Sequence, residues 1–265
     1  MIMAHKYLLR EDAPIGEELW KLLDSTMAEA AKSYLTGRRI LPLEGPFGFG
    51  LKAVPMEDCI GEGEIISSTI LPIHLIQRTF SFGKRDLAAF EMNGLPLNME
   101  TASCAALDCA RMEDGIIFHG TTGQDGLVTL EESNSVKLSS WNTVGKAADD
   151  IIQAITTLDR AGFHGPYSMA LAPNRFNLLL RQYPQGGTEL EHVRTIISQG
   201  VYKAPILETG GVVLAAGRQY ASIILGQDMT VGFNGPVEED FEFTISESLG
   251  LMIRQLGAIC VLKEK

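Results

Sequence analysis

The stretch from Gly45 to Gly83 constrains this chain more than any other. It opens with Gly45-Pro46, Gly48, Gly50, Pro55, Gly61 and Gly63 and continues as a β-like run from Ile65 to Phe82. Turn formers followed by β-branched residues predict a long hairpin over Gly45–Phe82. A long hairpin so early in a chain either folds back on its own core or reaches a neighbouring molecule, because exposed strand edges invite pairing. In a chain that assembles, that hazard becomes the mechanism. The other reading of the glycines is a phosphate loop. It lacks a following helix and a Gly-Lys-Ser/Thr signature, and Glu62 and Glu64 would repel phosphate.

Helical patterns flank this stretch. Over Glu17–Thr36, Leu19, Trp20, Leu23, Met27, Ala30, Ala31 and Tyr34 recur at three and four residues. Glu17 and Glu18 suit the positive end of the helix dipole, and Gly37 is expected as a left-handed stop. A second helix is expected over Asn98–His119, capped by Asn98, with Ala102, Ala105, Ala106, Cys109, Met112 and Ile116 in one stripe and Gly120 closing it. A third runs from Lys146 to Arg160, burying Ile151, Ile155 and Leu158. Beyond it come a strand at Tyr167–Ala172 and short helices at Asn174–Arg181 and Glu189–Ser198. From Ala204 the chain is mostly strand. Phe241, Phe243 and Ile245 alternate with Glu242 and Thr244, and Leu251–Leu262 is apolar enough for one central strand. This order is not the regular βαβα alternation of a doubly wound sheet, and no period of 20–50 residues repeats.

Catalytic signals are sparse. The five histidines are scattered, no Gly-x-Ser-x-Gly elbow occurs, and Glu189-x-x-His192 is a single copy of a motif that di-iron sites use twice on long helices. The four cysteines, Cys59, Cys104, Cys109 and Cys260, form no paired motif and read as small buried hydrophobes. Trp20 and Trp141 read as packing residues, and His119 as a helix-end cation. The net charge of −11 comes with no basic groove for nucleic acid. No apolar run approaches the ~18–20 residues of a membrane span, and the segment after His5 and Lys6 lacks the apolar core of a signal peptide. A cytoplasmic protein with a structural role is the expectation.

Five ordered segments then carry a resemblance. They are Leu9-Arg10-Glu11-Asp12-Ala13-Pro14 leading into the Trp20 helix; Leu35 to Ile40 followed by Glu44-Gly45-Pro46-Phe47-Gly48; Glu113-Asp114-Gly115-Ile116-Ile117-Phe118-His119-Gly120; Gly165-Pro166-Tyr167-Ser168-Met169-Ala170-Leu171; and Ile224 to Phe233. Together they resemble the encapsulin family of linocin-like shell proteins. The resemblance implies an α+β fold of the tailed-bacteriophage major-capsid type, with a peripheral domain, an axial domain and an extended loop. Its parts would be 1–44 (inner-face helix and start of the peripheral domain), 45–82 (extended loop), 83–129 (peripheral domain with its spine helix), 130–221 (axial domain) and 222–265 (return to the peripheral domain).

The function so implied is a self-assembling icosahedral nanocompartment shell, not an enzyme. Its partners would be copies of itself and a cargo enzyme bearing a C-terminal targeting peptide. The family's usual cargoes are ferritin-like iron oxidases and dye-decolourising peroxidases, which connects the shell to iron storage or oxidative stress. No nucleic acid or membrane is expected as a partner. Matching positions for cargo docking are Leu35, Arg38, Leu43, Val231 and Phe233. Aliphatic pockets plus one cation suit a short apolar peptide. Tyr183-Pro184-Gln185-Gly186-Gly187-Thr188 matches the loop that converges at a symmetry axis as a pore; a plain surface loop is the other reading. Gly16 stands where many relatives cap the first helix with Ser or Thr. Lys84 and Arg85 stand where some carry a flavin-associated tryptophan, so no cofactor is expected. The extended loop is short for the family. Two other readings stay open: a prophage capsid protein packaging DNA, and a stand-alone hydrolase or protease.

Overall fold

The computed structural model describes residues 5–60 and 66–264. In chain order its elements begin with α1 (Glu17–Tyr34), α2 (Gly37–Ile40), β1 (Leu43–Glu44), β2 (Ala53–Ile60), β3 (Ile66–Pro72), β4 (His74–Gly83), α3 (Lys84–Asn93) and α4 (Glu100–His119). Next are β5 (Gly120–Thr121), β6 (Gln124–Asp125), β7 (Asn134–Lys137), α5 (Lys146–Arg160), β8 (Tyr167–Leu171), α6 (Pro173–Leu178) and α7 (Glu189–Ile196). The chain ends with β9 (Val201–Lys203), β10 (Gly211–Ala215), β11 (Ala221–Val237), β12 (Asp240–Ile253) and β13 (Ile259–Lys263). Contacts divide them into two compact units, Met1–Tyr34, Gly45–Glu113 and Ile224–Gly250 in the first, and Leu35–Glu44, Asp114–Ile223 and Leu251–Lys265 in the second. This division cuts the stretch 222–265, expected as one return segment, at Ile224 and again at Leu251.

In the first unit β11, β12 and β4 are successive neighbours in one sheet, with β4 antiparallel to β12 from His74 opposite Leu249 to Gly83 opposite Asp240. The alternation at Phe243 and Ile245 buries both side chains. Phe243 is the hub of an aromatic cluster: Phe80 stacks on it at 5.6 Å, and Phe82, Phe233 and Trp20 lie within 5.9 Å. Helix α1 buries Leu19, Leu23, Met27 and Ala31, every third or fourth residue. Arg10 lies 4.1 Å over the Trp20 ring and pairs with Asp24. Gly16 lends the first helix no side-chain cap, and its own N–H donates to Glu91 at 2.7 Å.

The second unit is built on a five-stranded sheet in the order β7-β13-β10-β8-β9, with β13 parallel to β7, β9 parallel to β8, and β10 antiparallel to both its neighbours. Every residue of β8 and β10 is buried, as expected for central strands. Helix α5 packs Ile151, Ala154 and Leu158 into the core of this unit with Met169, Val213 and Cys260.

Several expectations need correction. Gly37 does not stop a helix; it begins α2, because the buried Asp114 carboxylate takes the N–H groups of Thr36 and Gly37 at 2.9 Å and turns the chain. The run Ile65–Phe82 is not one strand. It divides at Ile73, whose N–H donates to Lys52 O; β3 pairs with β2, while β4 pairs with β12. Gly61, Gly63 and Ile65 of the expected hairpin, with Glu62 and Glu64, lie outside the described residues. Lys84 and Arg85 open an unforeseen helix, α3. The apolar stretch Leu251–Leu262 breaks where Arg254 N and Gln255 N both donate to Tyr220 O, and its second half, β13, joins the other sheet. Cys59 and Cys104 are exposed; only Cys109 and Cys260 are buried, and burial pushes both thiols up to about 12. Met112 falls outside the buried stripe of α4.

Candidate docking and pore surfaces

The expected docking residues divide between the two units. Leu35, Arg38 and Leu43 belong to the second. Leu35 is buried, Arg38 is half-buried on α2, and Leu43 is exposed at the start of β1. Their segment is firmly held. Thr36 Oγ1 donates to Lys203 O at 3.2 Å. Gly37 lies so close to α4 that an added Cβ would come within 2.5 Å of Ile117 Cδ1. Beside Leu43, Glu44 pairs with Arg254 at 2.9 Å, and Arg254 also donates to Ser222 Oγ. The segment therefore presents Arg38, the more exposed Arg39 and the aliphatic Leu43 from a fixed backbone.

Val231 and Phe233 belong to the first unit, on β11. Both are buried, Val231 completely. Phe233 packs against Phe241 and Phe243 with ring centroids 5.9 and 5.4 Å apart. The opposite face of the strand is covered as well: a Cβ on Gly232 would meet Leu8 O at 3.1 Å. Val231 and Phe233, expected as peptide contacts, are buried side chains within the subunit. Apolar alternation places their side chains in the aromatic core, not on a surface. Leu35 is buried likewise.

The loop Tyr183–Thr188 lies in the second unit and is a closed turn. Gln182 and Thr188 bridge its base, Tyr183 N donates to Gly187 O at 2.9 Å, and Gly186 N donates to Tyr183 O at 3.0 Å. Gly186 and Gly187 have φ of +94° and +79°, which side-chain-bearing residues rarely adopt. Pro184, Gln185, Gly186 and Gly187 are exposed, so the tip carries small, uncharged groups. Thr188 caps α7 in a capping box with Glu191. The Tyr183 hydroxyl meets His192 Nδ1 at 3.2 Å. Burial, then the charges of Glu189 and Asp149, push that hydroxyl's pKa up.

The Glu189-x-x-His192 pair does not converge on one ligand. Glu189 is fully buried and its Oε1 accepts Gly145 N at 2.9 Å and Ala148 N at 3.1 Å, while His192 turns to Tyr183. Among the described residues no group of three or more His, Cys, Asp or Glu side chains could hold a metal ion, and no helix is long and apolar enough to cross a membrane. Trp141 is completely buried; its Nε1 donates to Asp150 at 2.7 Å, and Arg175 lies 4.9 Å over its ring. His119 Nε2 lies 3.1 Å from Ile206 O. Sequence reasoning missed Asp114, Asp150 and Glu189 as organisers. The one signal for Glu189 was Gly145, a helix start with no side chain to cap it.

Comparison with known proteins decides the family. A family described as "Encapsulating protein for peroxidase" matches residues 5–250. The type 1 encapsulin shell protein EncA of Myxococcus xanthus is 32% identical over 97% of this chain and 96% of its own length. This chain belongs to the encapsulin shell-protein family. The encapsulin fold is matched in solved structures too. The virus-like particle from Pyrococcus furiosus covers 93% of this chain and all of its own at TM-score 0.75 and 23% identity. The capsid of Myoviridae phage XM1 covers 85% of this chain and 90% of its own at TM-score 0.62 and 12% identity. The fold is the α+β, phage-capsid type that the ordered segments implied.

Proposed function

We propose that this encapsulin assembles from identical copies into a closed icosahedral shell that encloses a cargo enzyme in the cytoplasm. The observation that carries the reading is the β2–β3 ribbon. Among the described residues its strands pair only with each other, Ile60 opposite Ile66, and Met56, Ile60, Ile66 and Ile70 are all exposed, Ile60 by 77%. An isolated two-stranded ribbon is at best marginal in water, and its apolar side chains and open edges gain stability when a second copy covers them. The first unit is then the peripheral domain with its extended loop, and the second is the axial domain.

Cargo docking is proposed at Arg38 and Leu43, which offer a cation and an aliphatic surface to a short apolar targeting peptide. Leu35 supports that segment from beneath. The family description favours a peroxidase as cargo; a ferritin-like iron oxidase, and with it iron storage, is the alternative cargo. Tyr183–Thr188 is proposed as the pore loop, an uncharged turn passing small solutes around a symmetry axis. The shell has no catalytic part in this reading.

Negative-stain microscopy and size exclusion test the assembly. The expected result is closed particles, and a 28.9 kDa monomer would overturn the reading. The double variant Ile60→Asp, Ile66→Asp should leave folded subunits that do not close. Genome-length DNA released by heating the particles would favour a DNA-packaging capsid instead.

A further inference from the structure

The loop at Tyr183–Thr188 is joined to the rest of its unit in an unusual way. Helix α5 starts at Gly145, φ +100°, which has no side chain with which to cap its own helix. An uncapped helix start leaves orphan N–H groups. Here the cap arrives from another helix. Glu189, the first residue of α7, places Oε1 on Gly145 N and Ala148 N, the cap residue and the third residue of α5. The same residue closes the stem of the loop: Glu189 N donates to Arg181 O at 3.0 Å, and Leu190 N donates to Leu179 O at 2.7 Å. Its other carboxylate oxygen, fully buried, has no hydrogen bond. It faces Arg181 Nη2, also without one, across 3.7 Å. Arg181 and Glu189 flank the loop, so the residue that caps α5 also ties together both ends of the turn.

We propose that Glu189 is the positioning residue of the Tyr183–Thr188 loop: by capping α5 from outside while paired with Arg181 across the loop's base, it fixes the turn to helix α5. The tip also meets that helix directly at one point, where a Cβ on Gly145 would lie 3.9 Å from Tyr183 Cε1. Its internal bonds, Tyr183 N to Gly187 O and Gly186 N to Tyr183 O, hold its shape but not its place. Tyr183 and His192 tie the tip to α7, which bears Glu189 at its start and buries Leu190 and Val193 in the core of the unit. Part of this inference, the consequence for solute passage, rests on reading the loop as a pore.

The test is hydrogen–deuterium exchange on the assembled protein, with Glu189→Ala and Glu189→Gln compared side by side. Losing a cap of this kind should speed exchange roughly tenfold at Gly145 and Ala148. The proposal requires a similar rise across 183–188, with β8 and β10 unchanged. Gln keeps an acceptor oxygen and should restore most of the protection at both places. Thr188→Ala, which removes only the α7 cap, should leave Gly145 and Ala148 protected. If Glu189→Ala speeds exchange at 145–148 and leaves 183–188 slow, Glu189 is a helix cap only and the proposal is overturned. If the Ala variant yields no particles, Gln decides: protection at 145–148 with 183–188 freely exchanging refutes the link, and joint protection supports it. Entry of a small fluorescence quencher into dye-loaded shells is the separate readout. A loosened loop with an unchanged entry rate overturns the pore reading and leaves the positioning role standing.

Discussion

Phe233 separates two accounts of the expected docking residues. If its ring is a docking contact, removing it costs cargo and leaves the subunit as stable as before. If its ring is core, removing it costs the subunit its stability. The structure supports the second account: Phe233 is 6% exposed and touches Phe241 and Phe243. Truncating a core phenylalanine to alanine typically costs about 3–5 kcal/mol, the transfer term plus the cavity left behind. Two aromatic pairs, at about 0.5–1.5 kcal/mol each beyond area, place this site in the middle of that range or above. A value near 4 kcal/mol lowers the melting temperature of a chain this size by about 8–16 °C. Phe233→Leu, which refills most of the volume, should cost about a third as much.

Phe233→Asp should do worse than alanine, because it buries a carboxylate against two aromatic rings with no partner. The assay is differential scanning fluorimetry of wild type, Phe233→Leu, Phe233→Ala and Phe233→Asp. All are measured at one protein concentration, since assembly adds to apparent stability by mass action. Cargo is quantified in parallel by co-purification. A graded fall in the order Leu, Ala, Asp supports the core assignment. Unchanged melting with cargo lost in all three variants would refute it and return Phe233 to the docking wall.

Other perturbations follow from the same packing. Native protein should consume at most two equivalents of a thiol reagent, at Cys59 and Cys104. Cys109 and Cys260, buried with pKa values near 12, should react only after unfolding, and native labelling of either would contradict their burial. Glu264 accepts Nε and Nη2 of Arg175, and these hydrogen bonds hold its carboxyl below the usual glutamate value of 4.5. The stabilisation is present above that value and is lost as pH falls through the depressed one. Glu264→Gln should therefore flatten part of the acid limb of a stability-versus-pH curve; an unaltered limb counts against the pair. Asp150 Oδ2 accepts from Ser139 N, Ser139 Oγ and Trp141 Nε1 at 2.7–2.8 Å. Asp150→Ala strands three donors and should cost about 3 kcal/mol or more by denaturant titration, whereas Asp150→Asn, keeping an oxygen, should cost less.

What could be read along the chain was what repeats along it. Helix α5 runs from Lys146 to Arg160 as the apolar spacing required, and α1 is met to within two residues at its end. Helix α3 gave no such signal, since Leu87 is its one buried side chain. Breaks inside apolar runs were equally silent. On either side of Ile73, and between β12 and β13, the flanking residues are all plausible strand, and only the identity of the pairing partner divides them. The burial of part of the docking set was illegible for a related reason. Val231 and Phe233 have the residue types of a peptide groove and of a core alike, and composition does not separate the two. Asp114 and Glu189 act on amides 78 and 44 residues away, a distance at which no local pattern operates.

The buried charges tell what kind of surface this chain keeps. Asp114 and Asp150 are spent on backbone amides and side-chain donors that fix turns, and Glu189 on the start of a helix. Here they are turned inward to make backbone rigid at Arg38 and, on the proposal above, at Tyr183–Thr188. The ribbon is the complement. It carries exposed isoleucines where the sheet of its unit buries Ile76 and Ile245, and among the described residues it pairs with no other strand. Rigid turns with an unsatisfied ribbon are of little use to a monomer. They suit a subunit whose remaining stability comes from its copies, because each copy that covers a ribbon also has its own ribbon covered when the assembly closes.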